Sequence, residues 1–213
     1  MLYSKVKNQK QKLNPLRIIQ SQYQAIFHYL RSHLQWCLLT ALFIAELIVF
    51  VCLNTGPDGH YETYVANTIG KYPNLFTFIL GENLQSALVM VLFGTMPFGL
   101  GVIFSTYSVF SSLCSTVKWL LPDYGVRKML LGTMAHGIFE LTAIFFSVLL
   151  SVLWCRALTL AIIRLVRRRP LLKEFRTDLF FLAKAVFLVL IPLLFIAASI
   201  EVTITAWIVG MLD

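Results

Sequence analysis

The chain has 213 residues, of which 58% are hydrophobic and 13% charged, and its formal net charge is +8. A water-soluble domain carries about 25% charged residues, so this composition excludes an ordinary soluble enzyme and describes a polytopic membrane protein. The bases sit beside apolar blocks, which argues against a nucleic-acid partner and for membrane orientation and contact with anionic lipid headgroups.

Residues 1–33 read as a basic cytoplasmic tail followed by an interfacial helix. Lys5, Lys7, Lys10, Lys12 and Arg17 occur there with no acid among them. Pro15 suits the first turn of a helix, with Asn14 as its cap. Leu16, Ile19, Tyr23, Ile26, Phe27 and Leu30 recur at three and four residues, the period of an amphipathic helix lying along the inner membrane surface. His28 and His33 read as interfacial side chains. The transmembrane domain is expected over 34–213. Its first span, 34–53, is too long for the apolar core of a signal peptide and is expected to stay as an anchor. Glu46 lies deep within it. Asn54-Thr55-Gly56-Pro57-Asp58-Gly59 ends the span in a turn, and the polar stretch to Pro73, with Tyr61, Tyr64 and Tyr72, reads as a short outward loop.

The second span, 74–96, carries Glu82 and Asn83. Gly94, Pro97, Gly99 and Gly101 then interrupt the helical pattern and predict a tight turn or a closely packed kink. The third span, 98–121, is rich in serine and threonine, which permit close helix contact in lipid; a hydrophilic pore lining is the alternative reading. Leu121-Pro122-Asp123-Tyr124-Gly125 predicts a loop. The fourth span, 129–155, carries His136, Gly137 and Glu140. His136 and Glu140 are four residues apart and share one helix face; Gly137 is read as a packing position. Arg164, Arg167, Arg168, Arg169 and Lys173 follow and are the expected contacts for lipid headgroups. The last span, 179–211, contains Pro192 as a kink and Glu201 as a charge within lipid. Cys37, Cys52, Cys114 and Cys155 sit in or at the ends of apolar segments and read as small hydrophobes.

The sequence thus predicts an all-α bundle of about five transmembrane helices. With five spans, the positive-inside rule puts the amino terminus and the segment 156–176 in the cytoplasm and the carboxyl terminus outside a bacterial cytoplasmic membrane. Lys118, Arg127 and Lys128 are exceptions on the outer side. Polar groups in lipid are costly without partners, so Glu46, Glu82, Asn83, His136, Glu140 and Glu201 are expected to gather in one polar core. No catalytic residue, metal site or cofactor is assigned, because the chain lacks a His-Glu-x-x-His pair, a phosphate-cradling loop and a dinucleotide fingerprint. Three readings of the polar groups stand open: a network that fixes helix packing, a proton relay or substrate site in a small transporter, and an intramembrane hydrolase that activates water. The small-residue packing predicts a homodimer, and other membrane proteins are expected partners.

The region from Asn74 to Thr205 resembles the integral membrane proteins related to stage II sporulation protein M. The resemblance rests on Asn83 near the start of the second span, Gly94, Gly99 and Gly101 at the break, and Ala135-His136-Gly137-Ile138-Phe139-Glu140-Leu141-Thr142-Ala143 in the fourth span. Ala197-Ala198-Ser199-Ile200-Glu201 in the last span completes it. Ala135 and Thr142 stand where the family usually has prolines, which predicts a more regular helix around His136. The resemblance adds Asn83 and Glu201 to His136 and Glu140 as one site; spacing by itself puts only the last two on a common face. It implies a non-enzymatic scaffold or accessory subunit, in complexes that remodel the envelope or that accompany peptide export and self-protection against circular bacteriocins.

Overall fold

The computed structural model describes residues 15–57, 74–96, 99–168, 170 and 172–205; inside its helices, the side chains of 15, 120, 123–124, 128–136, 172–173 and 204–205 are outside the description. In chain order the elements are α1 (Pro15–Ser32), α2 (Leu34–Asn54), α3 (Leu75–Phe93), α4 (Leu100–Val166), α5 (Leu172–Ala185) and α6 (Ile191–Ile200). One π-helical turn, Val186–Leu190, joins α5 to α6, and a second, Glu201–Thr205, follows α6. Among the described residues, five stretches are long and apolar enough to cross a membrane: Leu34–Asn54, Leu75–Phe93, Leu100–Trp119, Gly137–Val166 and Glu174–Thr203. Lipid offers a peptide group no hydrogen-bond partner, so an apolar chain that crosses it folds as helix. The protein is an all-α, multi-pass membrane bundle.

The second half of α4 lies at the centre. It packs against α2, α3, α5 and α6, and Val148, Leu149, Leu150 and Leu153 along it are buried. By contrast, α2 is peripheral. It buries Thr40, Ile44 and Val51 and leaves Leu38, Leu39, Leu42, Val49, Phe50 and Leu53 exposed, the surface a lipid-facing helix presents.

The apolar stripe expected on α1 is divided by the fold. Ile26 is buried in the core cluster with Phe181 and Leu182, and Tyr29 and Leu30 pack against it, while Leu16, Ile19, Tyr23 and Phe27 stay exposed. Two hydroxyls then fasten α1 to the last span. Tyr29 Oη donates to Asp178 Oδ1 at 2.6 Å, and Tyr23 Oη donates to the Leu188 carbonyl at 2.7 Å. In an α-helix the partner of that carbonyl would be the nitrogen of Pro192, which carries no hydrogen. The expected irregularity at Pro192 is the π-helical turn that precedes it.

The break after the second span is a tight turn. Helix α3 ends at Phe93, Gly99 adopts a left-handed conformation with φ 73°, and α4 starts at Leu100. A Cβ on Gly101 would lie 2.1 Å from the Phe93 carbonyl oxygen, so the chain doubles back too closely for any side chain there. Pro97 lies outside the described residues.

One stretch differs from the sequence expectation. The loop expected at 121–125 is helical except at Gly125, whose φ of 69° and ψ of 162° redirect the chain in a single residue. Pro122 lies within the helix, three residues before the bend, and forgoes one backbone hydrogen bond there; glycine supplies the residue of positive φ that turns the chain. The helix of the fourth span runs on past 155 to Val166, as the sequence expects for a helix that continues beyond the bilayer before Pro170. Residues 206–211 of the last expected span lie outside the described residues.

Candidate functional site

Helix α3 starts where a capping box sets it. Asn74 Oδ1 accepts from the Thr77 amide at 2.9 Å, and Thr77 Oγ1 accepts from the Asn74 amide at 3.3 Å. That start places Asn83 eight residues on, about 12 Å into the span. Its side chain is half-buried, and its Nδ2 donates to Glu140 Oε1 of α4 at 2.5 Å. Glu140 is half-buried too, on a face of α4 where Gly137, Ala143, Ser147 and Ser151 are buried. These small residues let α3 come close. A Cβ on Gly94 would lie 2.5 Å from the Ser151 carbonyl oxygen.

The Asn83–Glu140 and Gly94–Ser151 pairs are each 57 residues apart in sequence. A constant offset is the signature of parallel helices, so α3 and the second half of α4 run in the same direction and touch at two points about 16 Å apart along the axis.

The last span supplies the third group. Ala197 and Ala198 are fully buried, and Ala198 clusters with Phe78 and Ile79 of α3. One turn later Glu201 opens the second π-helical turn, half-buried and within electrostatic reach of Glu140. The second π-helical turn packs on α4. The run of two alanines and a glutamate is therefore a close-packing step followed by a carboxyl within electrostatic reach of Glu140.

Asn83, Glu140 and Glu201 thus come together from three spans. Glu82 is half-buried on the same turn as Asn83. His136 belongs to α4, but its side chain lies outside the described ones. Glu46 stands apart: it is exposed on α2, on the face that also carries the exposed Leu42, Val49, Phe50 and Leu53. Among the described residues, no group of three or more histidine, cysteine, aspartate or glutamate side chains is placed to hold a metal ion.

The basic segment is divided as well. Arg164 forms an ion pair with Glu174. Arg167 and Arg168 are exposed at the turn after α4, where Arg168 has a positive φ of 52°. Arg169 and the Lys173 side chain lie outside the described ones.

Two features went unread in the sequence. One is a cavity of about 490 Å³ where the junction between α1 and α2 meets α4 and α5, lined by His33, Arg156, Arg164, Glu174, Phe175 and Asp178. Arg156 is 16 residues from Glu140, about 24 Å along α4, so this cavity is separate from the carboxyl cluster. Tyr29 borders the same groups. Burial first, then its hydrogen bond to Asp178, pushes the phenol well above its usual range. The other feature is Lys118, an exception to the charge rule, whose Nζ donates to the carbonyls of Cys52 and Thr55, each at 2.6 Å. It caps the carboxyl end of α2, where a cation complements the helix dipole. Its spacing to Thr55 in sequence offers no signal for this.

Comparison with known families matches residues 21–206 to the family model described as Stage II sporulation protein M. No curated protein and no solved structure matches the chain.

Proposed function

The chain belongs to the stage II sporulation protein M family, and from that membership we propose that it is a non-enzymatic membrane scaffold or accessory subunit. Its complex is one that remodels the cell envelope or serves peptide export and immunity. The observation that carries this reading is Glu46, a carboxyl exposed on an otherwise apolar face of α2. A carboxyl facing acyl chains is unfavourable by a few kcal/mol, so a transmembrane helix of another protein that offers Glu46 a donor gains by docking there. The Asn83–Glu140 bond supports the same reading, since that pair is spent on joining helices. In this proposal His136 and Glu82 join the network that holds the bundle. The amino terminus and the Arg164–Lys173 stretch face the cytoplasm and anionic lipid.

The test is site-specific photocrosslinking from Leu42 and Val49 of the full chain in its own membranes. The expected result is one protein adduct of defined mass that Glu46→Leu abolishes. Adducts with lipid alone refute the docking face, and an adduct with a second copy makes the assembly a homodimer.

A second reading is a small transporter or permease component. It is favoured by two carboxyls, Glu140 and Glu201, within electrostatic reach of each other in the membrane. Glu140→Gln and Glu201→Gln separate the two. A scaffold keeps assembly and function with either, whereas a proton relay keeps assembly and loses function.

A further inference from the structure

We propose that Cys52 and Cys114 form an intrachain disulfide that ties the end of the first span to the third. Their Sγ atoms are 2.8 Å apart, on α2 and the first half of α4. That is inside the roughly 3.5–4.0 Å of ordinary heavy-atom contact and close to the approximately 2.05 Å of a sulfur–sulfur bond. The approach does not depend on the sulfurs alone. Lys118 Nζ holds the Cys52 and Thr55 carbonyls from one turn beyond Cys114, and Thr55 Oγ1 lies 3.4 Å from Ser111 Oγ on the turn before it. Three contacts along two facing helices bring the thiols together in one register.

The site is also reachable and suitably placed. Cys52 is exposed and Cys114 half-buried. They lie at the end of the bundle opposite α1 and the basic segment. The inference rests on the orientation proposed above, which puts this end outside the cytoplasm, where disulfides persist. Cys37 and Cys155 are placed toward the other end and remain thiols.

The chemistry is thiol–disulfide exchange with an external disulfide, a protein oxidase or a low-molecular-weight disulfide. The accessible Cys52 thiolate attacks that disulfide, forms a mixed disulfide and expels one donor thiolate. The Cys114 thiolate then attacks Cys52 Sγ and expels the second. The pair loses two protons and two electrons, and the donor disulfide is reduced to two thiols. Once formed, the bond fixes α2 against α4, and with it the direction in which Glu46 faces.

The test uses the full chain in acid-quenched cells. Denatured protein is blocked with N-ethylmaleimide, reduced, and labelled with a polyethylene-glycol maleimide. Two of the 4 cysteines are expected to take the heavy label, and none in Cys52→Ser or Cys114→Ser. Four thiols blocked before reduction overturn the bond, as does heavy label that persists in Cys52→Ser or a doubled mass without reductant. Orientation is read separately from Gly56→Cys, in a chain whose own cysteines are serines, because Gly56 is exposed with open space around it. Labelling of intact cells by an impermeant maleimide supports the proposed orientation. Labelling only after permeabilisation overturns that orientation and the oxidising location the bond needs. Outside labelling without a bond overturns the disulfide alone.

Discussion

Replacing Asn83 with leucine removes the amide that Glu140 accepts from and keeps a side chain of similar length. A hydrogen bond contributes a net of about 0.5–1.5 kcal/mol in water-soluble proteins. Interhelical bonds in membranes average about 0.6 kcal/mol and reach about 1.7, because the unfolded helices also find partners in lipid. Glu140 is half-buried with Glu201 within electrostatic reach, so the unpaired acceptor is left beside a second carboxyl and the upper part of the membrane range applies. The expected loss is about 1–1.7 kcal/mol. The helices stay paired through the Gly94–Ser151 contact, so the loss is partial. Equilibrium unfolding in mixed micelles of mild detergent and dodecyl sulfate measures it for Asn83→Leu, Glu140→Leu and the double variant. A coupling of about 1 kcal/mol is expected. Independent sites add to within roughly 0.3–0.5 kcal/mol, and additivity of that quality refutes the pair.

Two further outcomes follow from the same geometry. Gly94→Ala puts a methyl group 2.5 Å from the Ser151 carbonyl oxygen and is expected to cost about 1–3 kcal/mol by overpacking. Ser151→Ala should not rescue it in the same unfolding assay, because the closest obstacle is backbone. The Tyr29 phenol is raised above its usual range, by burial and then by Asp178, against a smaller opposing effect of Arg156. A group raised in the folded state contributes fully below its unfolded value and less as pH climbs toward the folded one. Docking of α1 should therefore hold from pH 7 to about 10 and weaken above that. Hydrogen exchange of α1 amides reads the loss, and Tyr29→Phe should start weaker and lack the alkaline step.

The spans were legible because lipid demands long apolar helices, and a run such as 34–53 has no other use. The break at Gly94–Gly101 was legible because glycine and proline act locally. The Asn83 and Glu201 contributions were marked by their motifs, and helical period placed Glu140 on a face with His136. The outward face of Glu46 was not legible. Where lipid and bundle interior are both apolar, a helix is hydrophobic all round and its pattern carries no direction. For the same reason Cys52 and Cys114 read as ordinary small hydrophobes until their helices were set side by side.

From its residues alone this chain determines that it crosses a membrane as helices and which polar groups need partners. Those properties depend on neighbours in sequence and on the solvent. Tertiary structure decided which partners were met. Glu140 is joined by Asn83 and approached by Glu201, Lys118 caps a helix 63 residues away from it at Thr55, and Glu46 is left at the surface. Each outcome depends on the rotation of one helix about its axis against another, a quantity that an apolar pattern in an apolar solvent does not encode.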